Sequence, residues 1–508
     1  MADLMRDANK KQQSKKQNPL ILSPIALSLA ACGAGGDGEV SGKNSEDSAS
    51  DRPLSADRQS ILYSFQEDEF SEGWWYQGQF NEPQLVSYFP QAVGILDISS
   101  DGDLDVIVPL NKGYRTGIDT RHHFTVFENV GGELSFSSEM TNSTPFITGA
   151  RRVETIHLER SGSDVLVTVA HDTAIEAETR YDIPWRMGDL SFTNLKSFQN
   201  ISSELIPTNT LPQSFQTGRD SAVHAHSLAV GDINGDGRDD VFVGEFNSGF
   251  ILFQTESGPL TYFTDDFMSN LGWNYRDADL PNATNVLLID SHLADFNGDG
   301  FDDLLLGWGH GTAYSRIFYN NQQGNFDQSN SIALPVSVYG VDNNLHMKTF
   351  SSDLDSDGDL DILILQSRYD PFYSGTYIQY LEQSEPNVFI DVTSEKLVDP
   401  YQFEDTFGER LQWTNYWEVM DIDTDGDDDL VGTSVKDQSP IIFVNDGEGN
   451  FAEVNLKSSD IIGQPIAWGD YDKDGNIEFV TWHSTWNDSL GTSSTNSFYL
   501  YEYDGVIA

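Results

Sequence analysis

"DIDTDGDDD", residues 421–429, sets six aspartates into nine positions around a single glycine. Like charges at that density repel one another, so a folded chain can carry such a stretch only where something positive gathers it. Side chains at positions 1, 3, 5 and 9, together with the carbonyl of position 7, can turn inward onto one hard cation, and glycine at position 6 permits the sharp bend this needs. Here the set is Asp421, Asp423, Asp425, the carbonyl of Asp427, and Asp429. An all-oxygen cage suits calcium, which tolerates a flexible ligand set, better than magnesium. No thiolate or imidazole lies in the stretch to favour a transition metal.

The same nine-residue frame returns five times. The ligand sets it predicts are Asp97, Ser99, Asp101, Asp103 and Asp105; Asp232, Asn234, Asp236, Arg238 and Asp240; Asp295, Asn297, Asp299, Phe301 and Asp303; Asp353, Asp355, Asp357, Asp359 and Asp361; and Asp470, Asp472, Asp474, Asn476 and Glu478. In each set the fourth member contributes its carbonyl. Up to six calcium ions are therefore expected. A plainer reading is turns of Asp and Gly that need no metal, but acidity at four spaced positions, six times over, exceeds what a turn requires.

The first residues of successive copies lie 135, 63, 58, 68 and 49 positions apart, so the first gap has room for two units. A worn copy, "IHLERSGSDVLVTVA" (156–170), keeps the apolar frame and Asp164 there. Each unit reads as an apolar run, the acidic loop, two further apolar runs and a turn leading to a fourth, as in "SLAVGDINGDGRDDVFVGEFNSGFILFQ" (227–254) and "IFVNDGEGNFAEV" (442–454). The runs are strand-length and rich in Val, Ile, Leu and Phe. Asn, Asp and Gly in the turns supply the backbone angles that tight hairpins require. Four-stranded units that cannot bury themselves singly stack radially, and the prediction is an all-β, seven-bladed β-propeller over residues 60–508 with the acidic loops between first and second strands. The last unit stops after three strands. Its fourth is expected from "QSILYSFQEDEF" (59–70) or "EGWWYQGQF" (72–80).

These loops lack the acidic position 12 of helix-flanked calcium hands, which is Gly432 in one copy. With strands around them they resemble the FG-GAP and VCBS-type repeats of integrin-like propellers and bacterial surface proteins, over about residues 84–508. The resemblance implies calcium held in the loop joining the first two strands of a blade. Ser99, Asn234 and Asn297 at position 3 and Glu478 at position 9 depart from its pattern.

The chain carries 81 acidic and 28 basic residues, a net charge of −53 over 508 positions, which argues against a nucleic-acid partner. With 38% hydrophobic and 12% aromatic residues it is no disordered acidic polymer. Basic residues precede "PLILSPIALSLAA", too short to span a bilayer, which ends at the only cysteine. "LAAC" (Leu29, Ala30, Ala31, Cys32) resembles the bacterial lipobox, which implies a lipoprotein signal peptide over 1–31, lipidation of Cys32, and a membrane anchor. Gly33 in place of aspartate implies the outer membrane, facing periplasm or cell surface. Residues 32–59 are small and polar, a flexible tether of about 25–30 Å reach.

The face opposite the acidic loops collects His226, Trp308, His310, His346, Arg368, Tyr369, Trp413, Trp482 and His483 at strand ends. They are expected to line the mouth of a central channel, a surface suited to a glycan or protein ligand. No nucleophile or zinc motif points to catalysis. The reading is a calcium-binding, lipid-anchored extracytoplasmic binding or adhesion module. The alternative is a lyase-like enzyme acting on polysaccharide at the same mouth.

Overall fold

The computed structural model describes residues 59–67, 89–90, 92–99, 101–111, 122–144, 146–147, 150–159, 162–170, 190–206, 226–245, 248–263, 287–309, 314–368, 374–397, 416–433, 440–454, 461–486 and 494–503. The expected leader, the expected tether with Cys32 as far as residue 58, and the second candidate closing segment (72–80) lie outside them, while Gln59, expected to end the tether, begins a strand.

Seven small antiparallel sheets follow one another along the chain. Blade three is representative: Ser227–Gly231, Asp240–Glu245, Ser248–Gln254 and Leu260–Phe263 pair in sequence order. Its second strand reads DVFVGE, with Val241, Phe242 and Val243 all buried. Both faces of such a strand meet a neighbouring blade, so the alternation of a half-exposed sheet is absent. Blade two departs from the expected four strands. Ala150–Leu158, Ser163–Ala170 and Leu190–Asn194 form three, followed by a single bridge from Thr193 to Asn200 and one helical turn, Ser202–Leu205.

The core is divided among the blade interfaces. Seven apolar clusters each join one pair of neighbours: Leu166 with Ile107 for blades one and two, Val167 with Val243 for two and three, Phe242 with Leu304 for three and four, and Leu305 with Ile364 for four and five. Leu363 with Phe443 joins five to six and Ile442 with Phe479 joins six to seven. The seventh, containing Ile95, Val106, Phe127, Ile466, Trp482 and Phe498, joins blade seven back to blade one and closes the ring.

Closure is also made by the chain itself. Gln59–Glu67 pairs with Ser494–Tyr503 as the fourth strand of blade seven. Tyr63 on it stacks on Phe136 in the fourth strand of blade one, with ring centroids 3.8 Å apart. Of the two expected donors, the structure uses the first.

The first strands of neighbouring blades contact one another, as Leu287–Ala294 does Asn344–Ser352, so they line the axis. Four of them carry a register shift, at Ala150/Arg152, Leu288/Asp290, His346/Lys348 and Pro465/Ala467. Such bulges re-aim side chains.

Candidate metal centres and the opposite face

Each acidic loop is held open by its own main chain. Position 1 accepts N–H groups from positions 5 and 6: Asp232 from Asp236 (2.9 Å) and Gly237 (2.7 Å), Asp295 from Asp299 (3.0 Å) and Gly300 (2.7 Å), Asp421 from Asp425 (3.1 Å) and Gly426 (3.1 Å). Position 5 accepts from position 7, as Asp357 does from Asp359 at 2.9 Å. The glycine at position 6 sits at φ between +85° and +103° in all six loops. Position 4 also has positive φ, filled by Gly235 and Gly298 but by Ser356, Thr424 and Lys473 in three others. Sequence reasoning missed that second left-handed residue. The glycines at position 4 of two copies were its only sign.

Position 9 is the buried end of each loop. Asp105, Asp240, Asp303 and Asp429 are fully buried, and Asp361 and Glu478 nearly so. One oxygen accepts a third-strand N–H: Asn129 to Asp105 (2.7 Å), Gln254 to Asp240 (2.8 Å), Asn320 to Asp303 (2.8 Å), Gln383 to Asp361 (2.8 Å) and Asn445 to Asp429 (2.7 Å). Burial drives these carboxyls far above the usual carboxylate range, the main-chain donors oppose it, and neighbouring loop aspartates add to it. Asp105 is pushed up to about 6, Asp303, Asp361 and Asp429 to about 7, and Asp240 and Glu478 to about 8. Asp423, raised to about 6, is governed by burial and then by the charge of Asp425.

The donor sets fit a divalent cation. Ligating oxygens of Asp353, Asp355 and Asp357, of Asp421, Asp423 and Asp425, and of Asp470, Asp472 and Glu478 converge within 4.8 Å in each group. Asp240 Oδ2, Asp355 Oδ1 and Glu478 Oε1 are buried with no hydrogen-bond donor. An orphaned buried carboxylate oxygen is costly, and a cation held between the loop carboxylates would satisfy it. In blade four the amide of Asn297 instead donates to Asp303 at 3.1 Å.

A second set of residues ties the loops into a girdle. Asn129, Asn320 and Asn445 are buried, and each Nδ2 bridges two loops. It donates to the position 8 carbonyl of its own loop (Leu104 3.2 Å, Asp302 2.9 Å, Asp428 3.2 Å) and to the position 2 carbonyl of the preceding blade (Tyr471, Ile233 and Leu354, all 2.7 Å). Gln254 does the same to Asp239 and His157 at 3.0 Å each. The sequence shows these asparagines next to hairpin turns, where turn chemistry explains them equally well. Blade two contributes no acidic loop; its Asp164 pairs with His157 at 2.6 Å.

On the opposite face several of the expected mouth residues are structural. His346 is fully buried, with Nδ1 against Ser315 Oγ (2.8 Å) and Nε2 against Thr349 Oγ1 (2.6 Å), and burial pulls its pKa down to about 4. His226, Trp308 and Trp482 are buried too, and Gly307 leaves room for the His346 ring, which its Cβ would meet at 2.5 Å. Arg368 and His483 are half-buried. His310, Tyr369 and Trp413 lie outside the described residues. Arg368 lies over the Tyr339 ring, 5.7 Å from its centroid, and Tyr339 meets Tyr377 edge-on. Val336 and Val338, just before Tyr339 in the chain, are exposed, as is Tyr314 ahead of the third strand of blade four.

A family model for the FG-GAP-like repeat matches residues 295–364 and 421–481, and one for the FG-GAP repeat matches 224–258. The chain is a seven-bladed propeller that carries FG-GAP-type repeats in those segments. The matched FG-GAP segments take in the loops of blades three to seven, and the loop at Asp97 and the worn blade two fall outside them. Among solved structures the chain is similar to the Dos1 propeller, at 9% identity over 88% of this chain and 96% of that one, TM-score 0.41. It is also similar to a protein from Lactobacillus plantarum, at 11% identity over 74% of this chain and 86% of that one, TM-score 0.37. No curated protein matches.

Proposed function

We propose that this propeller is a calcium-stabilised binding module, anchored outside the cytoplasm by a lipid on Cys32 in the outer membrane, which engages a glycan through the face opposite its acidic loops. FG-GAP repeats on a propeller mark a binding or adhesion type of module. The observation that carries the calcium reading is the convergence of loop carboxylates around orphaned buried oxygens. Calcium would be held by positions 1, 3, 5 and 9 and the position 7 carbonyl of each loop. It would supply the positive charge that lets six acidic loops lie in one ring.

The glycan reading rests on Arg368 over the half-buried Tyr339 ring, which the buried Tyr377 meets edge-on, and on the exposed Val338 next to Tyr339 in the chain. Aromatic rings stack on the apolar faces of sugars, and a guanidinium pairs with carboxylate or sulfate on acidic ones. The test is affinity electrophoresis of the full chain in gels containing neutral and acidic polysaccharides, with calcium present. The expected result is retardation by an acidic glycan, reduced at least about fivefold in Arg368→Ala. Unchanged mobility in every gel, or equal retardation of Arg368→Ala, contradicts it. Unsaturated sugar products would point instead to the lyase-like alternative.

A further inference from the structure

A strut crosses the axis of the ring. Arg152, on the first strand of blade two, bonds through Nη2 to Asp290 Oδ1 of blade four (3.1 Å) and to the carbonyl of Met347 of blade five (2.6 Å). A residue of blade two that skips blade three to touch four and five does so across the central channel. The bulges explain the reach. The register shifts of three axial strands fall at Ala150/Arg152, Leu288/Asp290 and His346/Lys348, and the shift at Met347 takes its carbonyl out of the ladder for Arg152 to use.

The groups facing this strut can be balanced one against another. From blade five come His346, held neutral by burial, and Lys348, which donates to the Trp417 carbonyl (2.8 Å) and Glu418 (3.3 Å) of blade six. From blade four come Asp290 and His292, whose ring bonds Ser351 Oγ at 2.8 Å. Blade two adds Glu154, two residues beyond Arg152 on the same strand and within electrostatic reach of Arg152, Lys348, Glu418 and Asp290. Three carboxylates thus face two cations, and both cations are engaged. Two acceptors are left over. Glu154 makes no side-chain hydrogen bond among the described residues, yet it keeps partial solvent access. Asp290 Oδ2 is buried, its side chain only 6% exposed, with no hydrogen-bond donor and a neutral His346 ring 3.6 Å away.

We propose that this axial cluster is a binding site for a small primary-ammonium ligand, which Glu154 and Asp290 receive beside the Arg152 strut. The surplus is negative and consists of unmet acceptors, and an ammonium brings one positive charge and three donors to it. A single divalent ion suits it less, because among the described residues no three acidic or histidine ligating atoms converge within 4.8 Å there as they do in three of the acidic loops. Enclosure pushes the Glu154 carboxyl up to about 7, with Lys348 and Arg152 opposing and Glu418 and Asp290 adding to the rise. The ammonium therefore competes with a proton for Glu154, and binding releases that proton below neutrality.

The test is titration calorimetry of the full chain saturated with calcium, so that the loops are filled, using methylammonium and putrescine as probes. Tetramethylammonium, which has no N–H, is the control at equal ionic strength. The expected result is one saturable site at pH 8 that weakens roughly tenfold at pH 6 with release of about one proton, and that is lost in Glu154→Gln. Asp290→Asn, which alters the second acceptor, should weaken it as well. Should either variant fail to fold, proton release by the wild-type chain, read from buffers of different ionisation enthalpy, decides alone. No saturable binding, equal binding of tetramethylammonium, pH-independent binding, or an unaffected Glu154→Gln each overturn the proposal.

Discussion

Removing calcium with EDTA at pH 8 will lower the midpoint of thermal unfolding by about 10 °C or more, and lowering the pH to 5.5 will give back part of the loss. At about 10 mM calcium, sites of the extracellular kind stand roughly ten- to a hundredfold above their dissociation constants, which is about 1.4–2.7 kcal/mol each. Several filled loops therefore sum to a large fraction of a domain's stability. The pH arm follows from the position 9 carboxyls. Their folded pKa values, about 6 to 8, lie above those of the unfolded chain. The metal-free folded state thus binds more protons than the unfolded state between pH 4 and 8, and its stability falls as pH rises through that window. With calcium bound the carboxylates are ionised and neutralised by the ion, and the slope reverses, since protons now compete with metal. Melting curves at pH 5.5 and 8, with calcium and with EDTA, read both signs. Parallel pH dependence in the two conditions would contradict the account.

Deleting residues 59–67 should be as severe. The eight paired positions from Gln59 with Tyr501 to Glu67 with Ser494 would leave the third strand of blade seven as a bare edge. The Tyr63–Phe136 stack across the closing interface would go with them. At about 0.5–1.5 kcal/mol for each hydrogen bond lost, the deletion removes an amount comparable to the whole stability of an ordinary domain. The shortened chain is expected to lose its cooperative melt and to self-associate through the exposed edge. Adding a synthetic 59–67 peptide should restore the melt. A shortened chain that melts within 2 °C of the full chain would refute closure by this strand.

Much of this was legible in the sequence because the blade repeats. Six copies of one loop fixed the frame, the gap before Asp232 located the worn blade two, and the truncated last unit called for a strand from the start of the chain. Direction was harder to read. His346, Trp308 and Trp482 sit at strand ends that face the mouth, yet packing between blades turns their side chains inward. A single bulge decides which way an axial residue points, and nothing in "RRVETIHL" announces that Arg152 will cross the ring to Asp290. Asn129, Asn320 and Asn445 were ambiguous for another reason. An asparagine beside a hairpin has a sufficient local explanation, and its second role depends on a carbonyl that the neighbouring blade supplies.

The central claim is that the acidic loops are cation sites, and equilibrium dialysis of the full chain against radiolabelled calcium tests it most directly. The account predicts at least three ions per chain, one for each convergent carboxylate set, rising toward six as calcium is increased. It also predicts the loss of one ion when Asp421 and Asp425 are both changed to asparagine. A folded chain that binds no calcium across the millimolar range would contradict it.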